Sequence, residues 1–245
     1  SSARNYGIKQ SREKYIALLD ADDLWRTNYL SEIANLIHKY PGCGLYSTGY
    51  ILNKKHRKIK YFYPVEGVIK DYFKEYYKNK TPFCHTSCVV IPSTVFAEVG
   101  CFPEDSHTGE DLYMWMKIAS RYEVCVTPNI LMSYEYQEST FRDRLNRNIH
   151  IQADLFKSLY DPRKPYLNEV IAYWAITDAV TQALRNNKSV SKSVEKEFAY
   201  TRLNNRKMLF LRILNRTPSW GNRLIQSIWR FSSIAKTRLF GLIEK

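Results

Sequence analysis

The pattern of hydrophobic and polar positions changes along the chain, from mixed strand and helix patterns to helical patterns beyond about residue 140. The apolar run at residues 15–19 (YIALL) predicts a central strand covered on both faces. Helical patterns follow from Thr27 to residue 40, and at residues 94–99 and 110–121. Strand patterns occupy residues 43–52, 86–91, 123–127 and 130–136. These elements predict an α/β domain with a sheet flanked by helices.

The remainder of the chain favours helices. Helical patterns cover residues 141–160, 168–186 and 190–214, and prolines or an Asn-Asn pair separate them. We therefore predict two parts: an α/β domain over residues 1–140 and a helical C-terminal region over residues 141–245.

Three carboxylates, Asp20, Asp22 and Asp23, follow the first apolar run directly. Ligands of open α/β sheets bind at the carboxyl ends of the strands. Three like charges within four residues repel one another unless a cation lies between them, and oxygen ligands suit a hard divalent cation such as Mg²⁺ or Mn²⁺. An aspartate in a turn or at a helix N-cap is the ordinary alternative, but a cap accounts for only one of the three.

A second pair of carboxylates, Glu110 and Asp111, begins a predicted helix after Gly109. A carboxylate close to the positive end of a helix is easily kept ionised, as a general base requires. The spacing of Thr108 and Asp111 also fits a capping box, in which the carboxylate only satisfies backbone N–H groups. Local sequence leaves both interpretations open.

The net charge of +13 is concentrated near the C-terminus. Residues 203–245 hold nine Lys and Arg residues and one acid, which leaves +5 for residues 1–202. Residues 220–242 can be drawn as a basic amphipathic helix, which favours contact with an anionic membrane surface over a helix packed on the body with a solvated basic face.

The chain shows no signal peptide and no apolar run of membrane-spanning length, and its five scattered cysteines indicate reduced thiols in a cytoplasmic protein.

Four stretches in this order resemble the family 2 glycosyltransferases of GT-A fold. They are ARNYGI (3–8), YIALLDADDLW (15–25), TSCVVIPSTVFAEVGCFPED (86–105) and GEDLYMWMKIA (109–119). The resemblance implies a GT-A-like, Rossmann-like mixed sheet and transfer of a sugar, with inversion, from a nucleotide-diphosphate donor to an acceptor hydroxyl. The expected donor is a UDP-sugar. The expected acceptor is a glycan or lipid-linked molecule in bacterial surface-polysaccharide synthesis, and the expected location is the inner face of the cell membrane.

The resemblance also assigns roles to individual residues. Asp20-Ala21-Asp22 matches the DxD motif, in which Asp22 would bind Mg²⁺ or Mn²⁺, Asp20 would face the ribose or the metal, and Asp23 would assist. Asp111 matches the catalytic base and Glu110 a residue that positions the acceptor. Arg4 and Asn5 match a motif close to the nucleotide, and a salt bridge on a helix is the alternative role for Arg4.

The chain departs from the family pattern in two places. It begins after the strand and helix that hold the nucleotide base in the family, from which we expect weakened donor binding. The Tyr-Arg-x-His stretch of the family is replaced by residues 134–137 (YEYQ), which lack both basic residues. His85 and His107 are other histidines of this region, and for each we expect a core or surface position and not a role in the site.

Two other functions compete with sugar transfer. An Asp-dependent phosphohydrolase would explain a strand that ends in Asp-x-Asp, but that class requires Thr or Val where Asp23 stands. A non-enzymatic protein that binds nucleic acid through the basic tail would need a recognisable binding module with interleaved aromatic residues, which the sequence lacks. We therefore expect no nucleic-acid partner.

Overall fold

A computed structural model of the chain describes residues 1–54, 57–79, 83–106, 108–135 and 153–231. The chain forms two compact units, Ser1–His150 and Ile151–Lys245. Within the described ranges, no helix combines the length and the apolar character that crossing a membrane requires.

The first unit is built on one mixed sheet. Its strands, in chain order, are β1 (Tyr15–Ala17), β2 (Asp23–Trp25), β3 (Leu45–Lys54), β4 (Arg57–Tyr61), β5 (Gly67–Val68), β6 (Val89–Pro92) and β7 (Val124–Glu135). The main strand order is β1-β6-β3-β7-β2, with β4 paired to β3 and β5 paired to β7. The β3–β7 pairing is parallel and the other pairings are antiparallel. The mixed sheet predicted from the resemblance is confirmed.

Helices accompany this sheet along the chain. They are α1 (Ser2–Gln10), α2 (Tyr29–Lys39), α3 (Tyr72–Asn79), α4 (Ser93–Val99) and α5 (Glu110–Ala119), and a 3-10 turn at Thr86–Cys88 leads into β6. Helix α5 is buried on almost every side, from Leu112 to Met116 and at Ile118. A helix that is buried on most sides belongs to the core, which fixes the position of the side chains in its first turn.

The predicted position of the first strand is wrong. Residues 15–19 do not form a central strand, because β1 ends at Ala17 and pairs only with β6 in the described part of the chain. Ile16 and Leu18 are buried, whereas Ala17 and Leu19 are exposed. An unbroken apolar run does not reveal which of its alternate side chains reach the core.

Other predicted boundaries also need correction. Helix α2 begins after Asn28 and not after Thr27, and its buried face carries Tyr29, Ile33 and Leu36. The two strands predicted on either side of residues 128–129 are one strand, β7. Its pairing with β3 shifts register around Pro128, and proline is tolerated within a sheet at such an irregularity because it has no N–H to donate.

The second unit is helical in its described part. It contains α6 (Ala153–Lys157), α7 (Pro165–Leu184), α8 (Lys188–Glu197), α9 (Asn205–Arg216) and α10 (Ser219–Phe231). Most of the predicted helix at residues 141–160 and the end of the one at 220–242 lie outside the described residues.

The single helix predicted over residues 190–214 is in fact two helices, α8 and α9. Between them, the buried carboxylate of Glu169 accepts hydrogen bonds from the backbone N–H groups of Arg202 and Leu203, at 2.8 and 3.3 Å. The side chain of Asn204 donates to the same carboxylate at 2.8 Å. A buried carboxylate needs such donors, and satisfying it interrupts the helix.

Candidate active site

The turn between β1 and β2 holds the three aspartates in different environments. The backbone N–H of Asp23 donates to the carbonyl of Asp20 at 3.1 Å, which closes the turn. Ser87 fixes the turn to the start of β6, because its hydroxyl accepts the Asp20 N–H at 3.0 Å and donates to Asp23 Oδ2 at 2.5 Å. Asp22 is exposed, Asp20 is half-buried and Asp23 is buried. Solvent and ligands can therefore reach Asp22 directly.

Asp23 is a buried carboxylate with only part of its hydrogen-bonding capacity used. Its side chain is 1% exposed, and Oδ1 has no hydrogen-bond partner. Burial raises the pKa of Asp23, while the hydrogen bond from Ser87 opposes that rise. A buried carboxylate oxygen without a hydrogen-bond partner costs free energy when the group is charged. Perturbed groups of this kind cluster at functional sites, so this turn is a candidate site.

Arg4 joins the aspartate turn to the start of α5. From α1, its Nη2 atom lies 2.8 and 3.0 Å from the two carboxylate oxygens of Asp20, and Nη1 lies 3.4 Å from Glu110 Oε1. The side chains of these three residues are 21–32% exposed. Two carboxylate groups about 90 residues apart in sequence thus meet around one guanidinium.

Asn5, the neighbour of Arg4, binds the loop that precedes α5. Its side-chain amide donates to the carbonyl of Phe102 at 2.8 Å and accepts the Phe102 N–H at 2.9 Å. It also donates to Glu104 at 3.0 Å. These bonds make Asn5 a support of the loop that leads to Glu110 and Asp111.

Asp111 lies in the first turn of α5, behind a glycine that the backbone requires. Gly109 has φ +80°, in the left-handed region that favours glycine, and it is the N-cap of the helix. Asp111 Oδ1 accepts the N–H of Leu112 at 2.6 Å, and no side-chain hydrogen bond caps the helix. Desolvation raises the pKa of Asp111, the charge of Glu110 adds to that rise, and the Leu112 N–H, His85 and Arg4 oppose it.

His85 is a member of the site that sequence reasoning did not assign. Its ring lies between Tyr50 and Tyr134, with centroid distances of 5.2 and 5.1 Å, and Nδ1 lies 3.7 Å from Asp23 Oδ2. Nδ1 also accepts the N–H of Ser87 at 3.4 Å. The only sequence signal for His85 was its place just before Thr86–Cys88 and β6. His107, Tyr136 and Gln137 lie outside the described residues.

The described residues contain no group of three His, Cys, Asp or Glu side chains able to hold a metal ion. The carboxylates instead divide by environment: Asp20 is bound to Arg4, Asp23 to Ser87, and Asp22 is open to solvent. Any cation here would need ligands from a bound molecule as well as from the protein.

The first unit is therefore an α/β fold built on a mixed sheet, in which Arg4 joins the aspartate turn to the acidic start of α5. Among solved structures, the chain resembles S. aureus TarS 1–349 in complex with UDP-GlcNAc, with a TM-score of 0.63 and 11% identity over 93% of this chain and 70% of that one. The same TarS region in complex with UDP gives a TM-score of 0.60 at 11% identity, over 94% and 70% of the two chains.

The chain belongs to the family described as glycosyl transferase family group 2, whose profile matches residues 15–150. An uncharacterized glycosyltransferase of Rickettsia felis is 32% identical over 135 residues, which is 51% of this chain and 20% of the relative. One from Rickettsia bellii is 33% identical over 132 residues, 49% of this chain and 17% of the relative. The match therefore spans about a fifth of these relatives.

Proposed function

We propose that the chain is an inverting glycosyltransferase that moves a sugar from a nucleotide-diphosphate donor to an acceptor hydroxyl. The observation that carries this proposal is the joint contact of Arg4 with Asp20 and Glu110, because it brings both carboxylate groups to one site. Donor-binding and base functions need that proximity, since the acceptor oxygen must reach the anomeric carbon of the bound donor. Membership of the family supports the same conclusion and argues against the phosphohydrolase and nucleic-acid alternatives.

Asp111 is the proposed general base. Its Oδ1 accepts the N–H of Leu112 at the start of α5, and its raised pKa makes it a stronger proton acceptor once it is ionised. It would take the proton of the acceptor hydroxyl as that oxygen attacks the anomeric carbon. Glu110, held by Arg4, would position the acceptor, and Arg4 and Asn5 would keep α1 beside the nucleotide.

We propose Mg²⁺ or Mn²⁺ as the cofactor. Magnesium is commonly held by one or two carboxylates together with substrate phosphates, which fits a site with one open carboxylate, Asp22, and no three-residue cage among the described residues. Asp22 would bind the ion directly, and Asp20, whose two oxygens accept from Arg4, would face the ribose or the waters of the metal. Asp23 would assist through the negative charge of its carboxylate, whose Oδ1 has no hydrogen-bond partner. When bound, the ion would neutralise charge on the departing diphosphate.

A UDP-sugar is the proposed donor, because the TarS structures that share this fold were solved with UDP-GlcNAc and with UDP. A glycan or lipid-linked molecule of bacterial surface-polysaccharide synthesis is the proposed acceptor, and the inner face of the cell membrane the proposed location.

Donor binding tests the proposal. We would titrate Mn²⁺ together with a panel of nucleotide sugars and follow thermal unfolding. A donor at about 100 times its dissociation constant should stabilise the fold by about 2.7 kcal/mol. Stabilisation by one nucleotide sugar only in the presence of the metal supports the proposal and identifies the donor. An equal response without metal, or a response that Asp22→Asn leaves unchanged, contradicts it.

A further inference from the structure

The second unit exposes large apolar side chains on two consecutive helices. On α9, Leu209 and Ile213 are 58% and 51% exposed, and on α10 Trp220 and Leu224 are 72% and 58% exposed. Each pair is four residues apart on its helix, so its two members lie on one face. We call these four residues the apolar pairs. Two such exposed pairs on consecutive helices offer apolar side chains for an interaction.

The helices that carry the apolar pairs are strongly basic. Between residues 203 and 231 the sequence contains six Lys and Arg residues and no acid. Arg206 and Arg216 are exposed and flank the α9 pair at a spacing of three residues, and exposed Arg223 adjoins Leu224. Apolar side chains bordered by cations suit the boundary between lipid head groups and acyl chains.

A basic groove lies between α8 and α9 beside the α9 pair. Its cations are Lys192 and Lys196 from α8 and Arg212 and Arg216 from α9. One carboxylate, Glu195, lies among them at 3.9 Å from Arg212 and 3.2 Å from Arg216. Neither lysine has an ion-pair partner within the described ranges. The groove thus keeps an excess of positive charge that an anion can neutralise.

This surface is fixed to the body of the second unit. The side chain of Asn222, which is fully buried, donates to the carbonyls of Ala183 and Leu214 at 3.0 and 3.1 Å. These bonds hold the start of α10 against α7 and α9. Trp220 and Leu224 are therefore presented by a folded scaffold.

We propose that the apolar pairs and the basic groove together bind an anionic phospholipid bilayer. The apolar pairs enter the head-group boundary, where the indole of Trp220 is well suited, and the groove receives head-group phosphates. This surface adds α8 and α9 to the membrane contact predicted for residues 220–242. The proposal rests on the proposed location at the membrane and not on the transfer reaction, so vesicle binding and sugar transfer can fail separately.

Vesicle co-sedimentation of the full chain tests it, with phosphatidylcholine vesicles that contain or lack phosphatidylglycerol. We expect binding only to the anionic vesicles. Lys192→Gln with Lys196→Gln should weaken the partition coefficient by about tenfold or more, since each cation near an anionic surface contributes on the order of 1 kcal/mol. Leu209→Gln with Ile213→Gln should weaken it by about tenfold through lost apolar insertion. Thermal unfolding should be unchanged, because all four side chains are exposed or line an open groove.

Controls in the first unit carry the same kinds of change at exposed positions: the double change Lys58→Gln with Lys60→Gln, and the single change Leu30→Gln. Leu209→Gln alone is the test variant that matches Leu30→Gln. The control variants should bind vesicles like the parent chain. Equal losses in test and control variants would overturn the proposal, as would binding that depends only on Lys236 and Arg238 of the tail. A change in oligomeric mass of the Leu209→Gln, Ile213→Gln variant without vesicles would assign the surface to a second copy and also overturn it.

Discussion

Replacing Asp111 with asparagine should raise the stability of the fold at neutral pH while it suppresses sugar transfer. The carboxylate is desolvated at the start of α5 and lies beside Glu110, and both conditions penalise its charge. Asparagine keeps an oxygen that can accept the Leu112 N–H, now donated at 2.6 Å, and removes the charge. A group whose pKa is raised by folding binds more protons in the folded state, so ionised Asp111 destabilises the fold above its usual pKa range.

The expected size of the kinetic effect follows from general-base catalysis. Loss of a positioned base typically costs about 10²- to 10⁴-fold in rate, which corresponds to about 2.7–5.5 kcal/mol of transition-state stabilisation. We would measure nucleotide release from the donor in the presence of acceptor, and thermal unfolding of both proteins across pH. Transfer by the parent chain should fall as acid protonates Asp111, at a higher pH than an ordinary aspartate would give.

The two readouts separate a base from a structural cap. The stability difference between Asp111→Asn and the parent should vanish at low pH, where neither side chain is charged. Glu110→Gln is the matched control, since it removes a neighbouring charge and leaves Asp111 in place. If Asp111→Asn is less stable than the parent yet transfers sugar at the parental rate, Asp111 is a helix cap and not the base.

Three further substitutions test other parts of the site. Asp22→Asn should abolish metal-dependent stabilisation by the donor without altering the melting temperature of the free chain, because Asp22 is exposed; differential scanning fluorimetry checks both. Ser87→Ala should destabilise the fold by about 1–3 kcal/mol in urea unfolding, because it leaves buried Asp23 without its hydroxyl partner. Arg4→Gln should raise the KM for the donor more than it lowers kcat, since Arg4 orders Asp20; an unchanged KM would leave Arg4 only a structural role.

The acidic residues of the site could be predicted because they lie in two short segments of the sequence. Asp20, Asp22 and Asp23 follow an apolar run, and Glu110 and Asp111 begin a helix after a glycine. The structure places Glu110 and Asp111 in the first turn of α5 as predicted, whereas the aspartates follow a short strand at the end of the strand order and Asp23 itself begins β2. Arg4 joins the two groups. Their catalytic roles remain predictions.

Contacts between distant segments could not be predicted from the sequence. Ser87 reaches Asp23 across 64 residues, and His85, two residues before Ser87, approaches the same carboxylate. The hydrophobic pattern also misplaced the first strand. A wholly apolar run has no alternation of polar and apolar residues that would show which side of the strand faces solvent. The break between α8 and α9 depends on Glu169, a residue from another helix.

We infer that the aspartate turn binds the donor and that the start of α5 supplies the base. Isothermal titration of UDP in the presence of Mn²⁺ against the parent chain, Asp22→Asn and Asp111→Asn tests it most directly. Asp22→Asn should lose binding by tenfold or more, on the order of 1.4 kcal/mol, while Asp111→Asn should bind like the parent. Equal affinity for all three proteins, or a loss confined to Asp111→Asn, would contradict it.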